Sequence, residues 1–372
     1  MTDRKLSILA ITAVIMVGAA ILQSRLAQRA GTSAMFQSSP LIQGLALDAI
    51  TSITIASEKG EKITTLTKAD KQFVVSDKND YPANISVINT LLNNCLDIRT
   101  TEHITSDPAN HADLGVTDQT ARYAVRFFNA DGKEITGVLI SEMQSDPSGA
   151  FARLTTSQDV YFIQSPPWLS TGPMEYINST LVEADRTKIR QVAVKSSSGE
   201  YILTSDGSDA VALEPMPEGK QFKGTTYKSV FGAMSSLRCE DVMADGKAPE
   251  GLAFNRSFVC TLDDTTVYTL LLAQKDEKTY AMISAGFLDK APVEKERRVE
   301  SEEELKKKEA KLLAIDAVES FNKRHKGWVY QIPSYKAGDL TKPLEELLED
   351  KPAPAEATAE SATPVAADPN AQ

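Results

Sequence analysis

The side chains that could carry acid–base or metal chemistry are few in this sequence. Three histidines occur among the 372 residues. His103 and His111 lie eight positions apart in one stretch, which is not a zinc-site spacing without cysteine ligands. His325 lies in the basic run 323–326, where we expect it to be solvated. The sequence has no nucleophile-elbow, P-loop or dinucleotide-binding glycine motif, so it predicts no catalytic residue, no cofactor site and no metal site.

Paired acidic residues occur twice, and neither pair predicts carboxylate catalysis. Asp263-Asp264 separates two strand-like stretches, which is typical of a hairpin turn. Glu345-Glu346 lies in a short helical pattern whose leucines would form its buried face. We therefore expect a protein that is not an enzyme.

The three cysteines leave at least one thiol unpaired. Cys95 falls in an apolar helical pattern and is expected in the core. Cys239 and Cys260 lie on two predicted strands that could be neighbours in one sheet. The sequence leaves two interpretations of this pair open, a disulfide bond or two buried thiols.

The elements that must position these side chains occur twice along the chain. The stretch that starts at Ile50, ITSITIASEKGEKITT, resembles the stretch that starts at Ile189, IRQVAVKSSSGEYILT. A helical pattern and strand patterns with period-two alternation follow in each copy. The sequence therefore predicts an α+β protein with two tandem modules, residues 46–183 and 184–348, each an antiparallel sheet with a packed helix.

Two tryptophans lie at corresponding ends of these modules. Trp168 follows the closing strand pattern of the first module, and Trp328 begins the matching strand of the second. Aromatic residues that close a sheet usually belong to its core. The alternative is that Trp168 and Trp328 line a ligand groove at the junction of the two repeats.

The second module carries an inserted charged segment before its final strand, and we expect a helix over about residues 294–324. Ser301 and Glu304 form a capping-box pattern near its start. Apolar residues follow at helical spacing, and they are the positions that a docking partner would contact: Leu305, Leu312, Ile315, Val318 and Phe321. Two interpretations stay open, a solvated flap and a docking arm for a partner protein.

The amino terminus predicts a transmembrane helix. An apolar run extends over 17 residues from Leu6 to Leu22, at the lower limit for a spanning helix, and basic residues flank it. We favour an uncleaved anchor over residues 1–23 rather than a signal peptide, because the run continues past its one small-residue patch. Residues 24–45 are expected to form a linker, and the Pro- and Ala-rich residues 349–372 a disordered tail.

The net charge of the chain is −11, which argues against nucleic acid as a partner because phosphate binding requires clustered Lys and Arg. Hydrophobic residues make up 42% of the sequence, so each module can bury a core of ordinary size.

The order of several motifs resembles the bacterial domain-of-unknown-function 4340 family over most of residues 50 to 335. These motifs are FVVSDKNDYPANISVINTLLNNCLDIR, HADLGVTD with Leu114-Gly115, and GAFARLTTSQDVYFIQ with Val160-Tyr161. The resemblance supplies no catalytic residue. It implies an envelope protein that is associated with an ABC-type export system and its gliding-motility-type auxiliary subunit.

The anchor, the duplication and the missing chemistry together predict a non-enzymatic accessory protein. We expect a single-pass protein of the bacterial inner membrane, with the bulk of the chain in the periplasm, that binds components of an ABC-type transporter. The alternative is a periplasmic binding module that holds a polymer or a small ligand at the junction of the two repeats.

Overall fold

The computed structural model describes residues 38–208, 210–289, 291 and 301–351. The predicted anchor at residues 1–23, the linker up to residue 37, residues 352–372 of the predicted tail and the expected helical residues before 301 lie outside the described residues. Residues 349 and 350, which the sequence predicts to be disordered, instead belong to a short strand, Leu348–Asp350. Within the described ranges, no helix is both long and apolar enough to span a membrane. The chain divides into two compact units, Met1–Asn178 (unit 1) and Ser179–Gln372 (unit 2).

Unit 1 is built on one antiparallel sheet. In chain order its elements are β1 (Ser39–Pro40), β2 (Ser52–Ser57), β3 (Lys62–Ala69), β4 (Gln72–Val75), β5 (Tyr81–Pro82), α1 (Ile85–Leu96), β6 (Arg99–Thr100), β7 (Glu102–Thr105), β8 (Tyr123–Phe128), β9 (Glu134–Ile140), β10 (Gln144–Ser145), β11 (Ser148–Leu154) and β12 (Val160–Ile163). The order across the main sheet is β5-β4-β3-β2-β8-β9-β11-β12-β7, with β10 paired to β11, while β1 pairs with β6 separately.

Unit 2 is also built on one antiparallel sheet. Its elements are β13 (Thr180–Val182), β14 (Ile189–Ser196), β15 (Gly199–Thr204), β16 (Ala212–Leu213), β17 (Lys220–Phe222), α2 (Thr226–Phe231), β18 (Leu237–Arg238), β19 (Asp241–Ala244), β20 (Arg256–Leu262), β21 (Thr266–Lys275), β22 (Lys278–Phe287), α3 (Glu302–His325), β23 (Trp328–Ile332), α4 (Ser334–Leu340), α5 (Leu344–Leu347) and β24 (Leu348–Asp350). The order across the main sheet is β16-β15-β14-β20-β21-β22-β23-β19, while β13 pairs with β18 and β17 with β24.

The main strands follow the same order in the two sheets. The sequence β4-β3-β2-β8-β9-β11-β12-β7 in unit 1 reads strand for strand like the sheet of unit 2. Ile53 and Ile55 in β2 are fully buried, and so are Val192 and Val194 in β14, because alternate side chains of each strand face the core. The structure is mostly sheet with few helices, which confirms the predicted mixture of strands and helices.

The largest difference between the two sheets is in the connection that leads to β12 in unit 1 and to β23 in unit 2. In unit 1 a short loop joins β11 to β12, whereas in unit 2 the connection from β22 to β23 contains α3. The insertion that the sequence predicts therefore forms a helix, with Glu302–His325 as its described bounds.

Helix α1 shows how local signals set the packing of unit 1. Asn84 is its N-cap, and the side chain of Asn84 accepts a hydrogen bond from the backbone N–H of Ser86 at 3.0 Å. The buried residues Ile88, Leu91 and Cys95 recur at helical spacing and form one face. Cys95 lies in the core, as the sequence predicts.

The cysteines are all buried and all free. Cys260 lies in β20, whereas Cys239 lies in the two-residue connection between β18 and β19. Strand β19 is at the far edge of the main sheet, with β21, β22 and β23 between it and β20. The expectation that Cys239 and Cys260 lie on neighbouring strands is therefore wrong, and no disulfide joins them. Burial raises the pKa of each thiol to about 12, so the cysteines are protonated core residues.

Candidate functional site

Helix α3 begins with the cap that its sequence predicts. The Oγ atom of Ser301 accepts a hydrogen bond from the backbone N–H of Glu304 at 3.3 Å, and the Glu304 carboxylate accepts one from the backbone N–H of Ser301 at 2.9 Å. Lys306 and Glu302 form an ion pair at 2.6 Å one turn apart. At the other end, Lys323 and Arg324 lie in the last turn, where cations favour the helix dipole. The 24-residue helix is therefore supported locally at both ends.

A side-chain amide attaches α3 to the sheet. The backbone N–H of Ala285 in β22 donates to Asn322 Oδ1 at 2.8 Å, and Asn322 Nδ2 donates to the Ala285 carbonyl oxygen at 2.8 Å. Strand β22 pairs with β23 only over Thr279–Ala281, so at Ala285 the amide of Asn322 takes the place that a neighbouring strand would fill. This bond pair therefore attaches the last turns of α3 to β22.

Aromatic contacts hold the carboxyl-terminal half of α3 next to that amide. Phe321 meets Tyr268 of β21 edge to face, with ring centroids 5.2 Å apart, and contacts His325 at 4.3 Å. His325 Nδ1 lies 2.7 Å from the Tyr330 hydroxyl oxygen of β23. The helix is therefore packed against three strands, β21, β22 and β23, through its last two turns.

His325 is only 3% exposed, so the expectation that it is solvated is wrong. Its Nε2 atom has no hydrogen-bond partner among the described residues. Burial, and secondarily the charge of Arg324, lowers the pKa of His325 to about 4. The basic run around His325 is a poor guide to its environment because successive helical residues point in different directions, and His325 points at Tyr330.

The structure divides the five predicted docking residues into two groups. Ile315, Val318 and Phe321 are half-buried on the side of α3 that also carries Asn322, which is the side that faces the sheet. Leu305 and Leu312 lie on the other side, with 53% and 50% of their surface exposed. Leu313, another apolar residue of the helix, is 63% exposed there as well. The surface left for a partner is the leucine face of α3, defined as Leu305, Leu312 and Leu313.

A cleft of about 350 Å³ lies beside the amino-terminal half of α3. Lys307, Lys308 and Lys311 line one wall, and the turn at Asp263-Asp264 contributes to the other. Lys311 Nζ donates to Asp289 at 2.6 Å, and this bond lowers the pKa of the Asp289 carboxyl. The Asp263-Asp264 pair forms a hairpin turn, as predicted, with the Asp264 carboxylate accepting from the backbone N–H of Thr266 at 2.8 Å. Positive and negative groups are balanced in this cleft.

Trp168 is exposed, with 73% of its surface in contact with solvent, so its interpretation as a core residue is wrong. The loop that carries it is well held, because Asn94 Nδ2 donates to the Trp168 carbonyl oxygen at 3.0 Å and the next residue, Leu169, is buried. The Arg122 guanidinium lies 5.7 Å from the Trp168 ring centroid and 5.0 Å from that of Tyr123. These side chains border a depression of about 70 Å³.

Trp328 has a different environment. It is half-buried at the start of β23, where it pairs with Ala244 across the sheet. The ligand groove predicted between Trp168 and Trp328 stays a prediction.

A histidine, a serine and an aspartate lie together in unit 1 without forming a catalytic relay. His103 Nε2 lies 3.0 Å from Ser106 Oγ and 3.4 Å from Asp159 Oδ1, and Ser106 Oγ donates to the same Asp159 oxygen at 2.5 Å. A relay needs the imidazole between the hydroxyl and the carboxylate, with one ring nitrogen facing each. Here one nitrogen faces both groups. The cluster instead ties β7 to the loop before β12.

The other histidine of unit 1 bonds to a backbone carbonyl group rather than to this cluster. His111 is buried, and its Nε2 atom lies 3.0 Å from the Gln158 carbonyl oxygen. Within the described part of the chain, no group of three or more His, Cys, Asp or Glu side chains could hold a metal ion.

Comparison with known families gives one match. Residues 74–254 match a family model described as "Domain of unknown function (DUF4340)". The match supports the family resemblance that the sequence motifs indicate. It ends before β20, so α3 lies outside the matched residues. No curated protein and no solved structure matches the chain.

Proposed function

We propose, on the premise of the DUF4340 match, that this protein is a non-enzymatic accessory subunit of an ABC-type transport system. In this proposal residues 1–23 anchor the chain in the bacterial inner membrane and the remainder lies in the periplasm. The protein acts by binding another component of the transport system rather than by chemistry of its own.

The observation that carries this proposal is the two-sided character of α3. One side of the helix is fastened to β22 through Asn322 and Ala285, and the other presents the leucine face to solvent. Exposed leucines scattered over a surface need no explanation, but three on one side of a fixed helix form a contact surface for a partner. The family resemblance supports the identity of that partner as a transporter subunit.

Affinity purification of the full chain from gently solubilised membranes tests the proposal. We expect subunits of an ABC-type transporter to be recovered with the wild-type protein and identified by mass spectrometry. The double substitution Leu305→Asp and Leu312→Asp should lower this recovery, because it places charge in a contact that excludes water.

Leu47→Asp provides a matched control, since Leu47 is 47% exposed in unit 1 and lies outside the leucine face. Its recovery should equal that of the wild type. Recovery of no transporter subunit, under conditions that preserve known membrane complexes, would count against the proposal.

A second candidate function is a module that binds a polymer or small ligand, and Trp168 favours it. A large aromatic side chain that is exposed on a well-held loop beside Arg122 has the composition of a binding hot spot. Titration of candidate ligands while tryptophan fluorescence is followed, in the wild type and in Trp168→Phe, tests this function. A fluorescence change that persists in Trp168→Phe would assign any binding to another place.

A further inference from the structure

The solvent side of α3 carries a charge pattern together with its leucines. Glu309 and Asp316 follow Leu305 and Leu312 by one helical turn each, and all four side chains are exposed. The two leucines are seven residues apart, and so are the two carboxylates. Each pair therefore spans about 10 Å along the helix axis. Together with Leu313 these residues form an acidic leucine stripe.

The two carboxylates of the stripe are available to a partner. Other charged groups of α3 are engaged within unit 2, such as Lys306 with Glu302 and Lys311 with Asp289, both at 2.6 Å. Among the described residues, Glu309 and Asp316 take part in no ion pair. Their charges lie beside apolar surface. A partner that covers this surface would exclude water, and the lower dielectric would strengthen the attraction between each carboxylate and an opposite charge on the partner.

We infer that the acidic leucine stripe binds a helix of a partner protein in which apolar residues and Lys or Arg recur at seven-residue spacing. The apolar residues of that helix pack against Leu305, Leu312 and Leu313. Its basic residues pair with Glu309 and Asp316, which sets the register and orientation of the contact. This inference rests on the proposed function, because it names the kind of segment that binds the same surface.

The charge pattern disfavours two other occupants. A helix that lies on a membrane surface carries Lys and Arg beside its apolar side chains, whereas carboxylates in those positions are repelled by anionic lipids. A second copy of α3 would set Glu309 and Asp316 against the same acidic residues, and like charges in an interface weaken it. A basic helix of another protein is the occupant that matches both the leucines and the carboxylates.

Site-specific photo-crosslinking in the cells that make the protein tests the inference. The full chain carries Leu313→benzoylphenylalanine, at the margin of the stripe, so that Leu305 and Leu312 remain intact. We expect a crosslink to a protein segment whose apolar and basic residues recur at seven-residue spacing, identified by peptide mass spectrometry.

Charge reversal then separates the stripe from nonspecific proximity. Glu309→Lys together with Asp316→Lys should lower the crosslink yield roughly tenfold or more, which corresponds to about 1.4 kcal/mol of binding free energy. Glu61→Lys together with Asp113→Lys makes the same change in net charge at two exposed positions of unit 1 and should leave the yield unchanged.

Several outcomes would overturn the inference: a crosslink to lipid, to a second copy of the chain or to a segment without that basic pattern, no crosslink to any protein, or an unchanged yield after charge reversal. The proposed function can fail separately. A crosslink to a basic helix that does not belong to a transporter would refute the transporter assignment and support the binding role of the stripe. Recovery of transporter subunits without a crosslink to them would support the transporter assignment and refute the binding role of the stripe.

Discussion

His325 makes the stability of unit 2 depend on pH. Its pKa in the folded chain is about 4, below the ordinary value of 6.5, because burial disfavours the charged imidazolium. The unfolded chain therefore takes up a proton near pH 6.5 that the folded chain does not accept until about pH 4. The contribution of His325 to the free energy of unfolding is therefore complete above pH 6.5. It is lost as the pH falls toward 4, by about 3 kcal/mol in all.

His325→Phe should flatten this pH dependence, because phenylalanine fills the same space beside Phe321 without taking up a proton. Urea unfolding of the wild type and the variant at a series of pH values between 4 and 7 measures the effect. The readout is the slope with pH rather than the absolute stability. An equal slope in His325→Phe and wild type would contradict the assignment.

Trp168→Ala should change the free energy of unfolding by no more than about 0.5 kcal/mol, because the side chain is mostly in solvent already. Ile53→Ala, at a fully buried position of β2, should cost about 2–5 kcal/mol and serves as the comparison. Thermal or chemical unfolding measures both. A decrease in the free energy of unfolding for Trp168→Ala as large as that for Ile53→Ala would show that Trp168 belongs to the core.

The residues that sequence reasoning placed correctly are those governed by near neighbours in the chain. The cap of α3 depends on Ser301 and Glu304, three positions apart, and Cys95 follows the apolar stripe of its own helix. Trp168 and His325 were misplaced because distant residues decide their exposure. The loop of Trp168 is held by Asn94, 74 positions away, and no local pattern encodes that bond.

At the scale of the element, the orientation of α3 depends on contacts with residues that are distant in the chain. Asn322 and Ala285 are 37 positions apart, so the sequence predicts a helix but not which of its sides is buried. The apolar residues do not settle the question either, because leucines occur on one side and Ile315, Val318 and Phe321 on the other.

Asn322→Ala should loosen α3 from unit 2. The change leaves the N–H and C=O groups of Ala285 without these two bonds, which costs about 1–3 kcal/mol for a partly buried group. Hydrogen exchange should become faster at the Ala285 amide and in the last turns of α3. Lys323→Ala, an exposed neighbour in the same turn, is the control and should leave both rates unchanged; unaltered exchange at Ala285 in Asn322→Ala would show that the helix is held elsewhere.

At the scale of the molecule, each unit has its own sheet and its own buried residues. Unit 1 closes on itself through pairs such as Ala83 with Ile177, whose partners both lie before the boundary at Asn178. A fragment of residues 38–178 should therefore unfold in a single cooperative thermal transition, followed by circular dichroism.

A fragment of residues 38–121 is the control, because it lacks β8, which lies between β2 and β9 in the middle of the sheet. It should show no cooperative transition. The absence of such a transition in residues 38–178 as well would mean that unit 1 depends on the rest of the chain for stability.

The two hydrogen bonds between Asn322 and Ala285 also limit the access of other chains to the edge of β22. Past Ala281 the outer side of the ten-residue strand β22 has no strand beside it among the described residues. Exposed strand edges of this kind recruit strands from other chains and start aggregates. Asn322 occupies the donor and the acceptor at Ala285, so α3 shields the edge against polymerisation as well as presenting its stripe. A partner that pulled α3 off β22 would expose that edge.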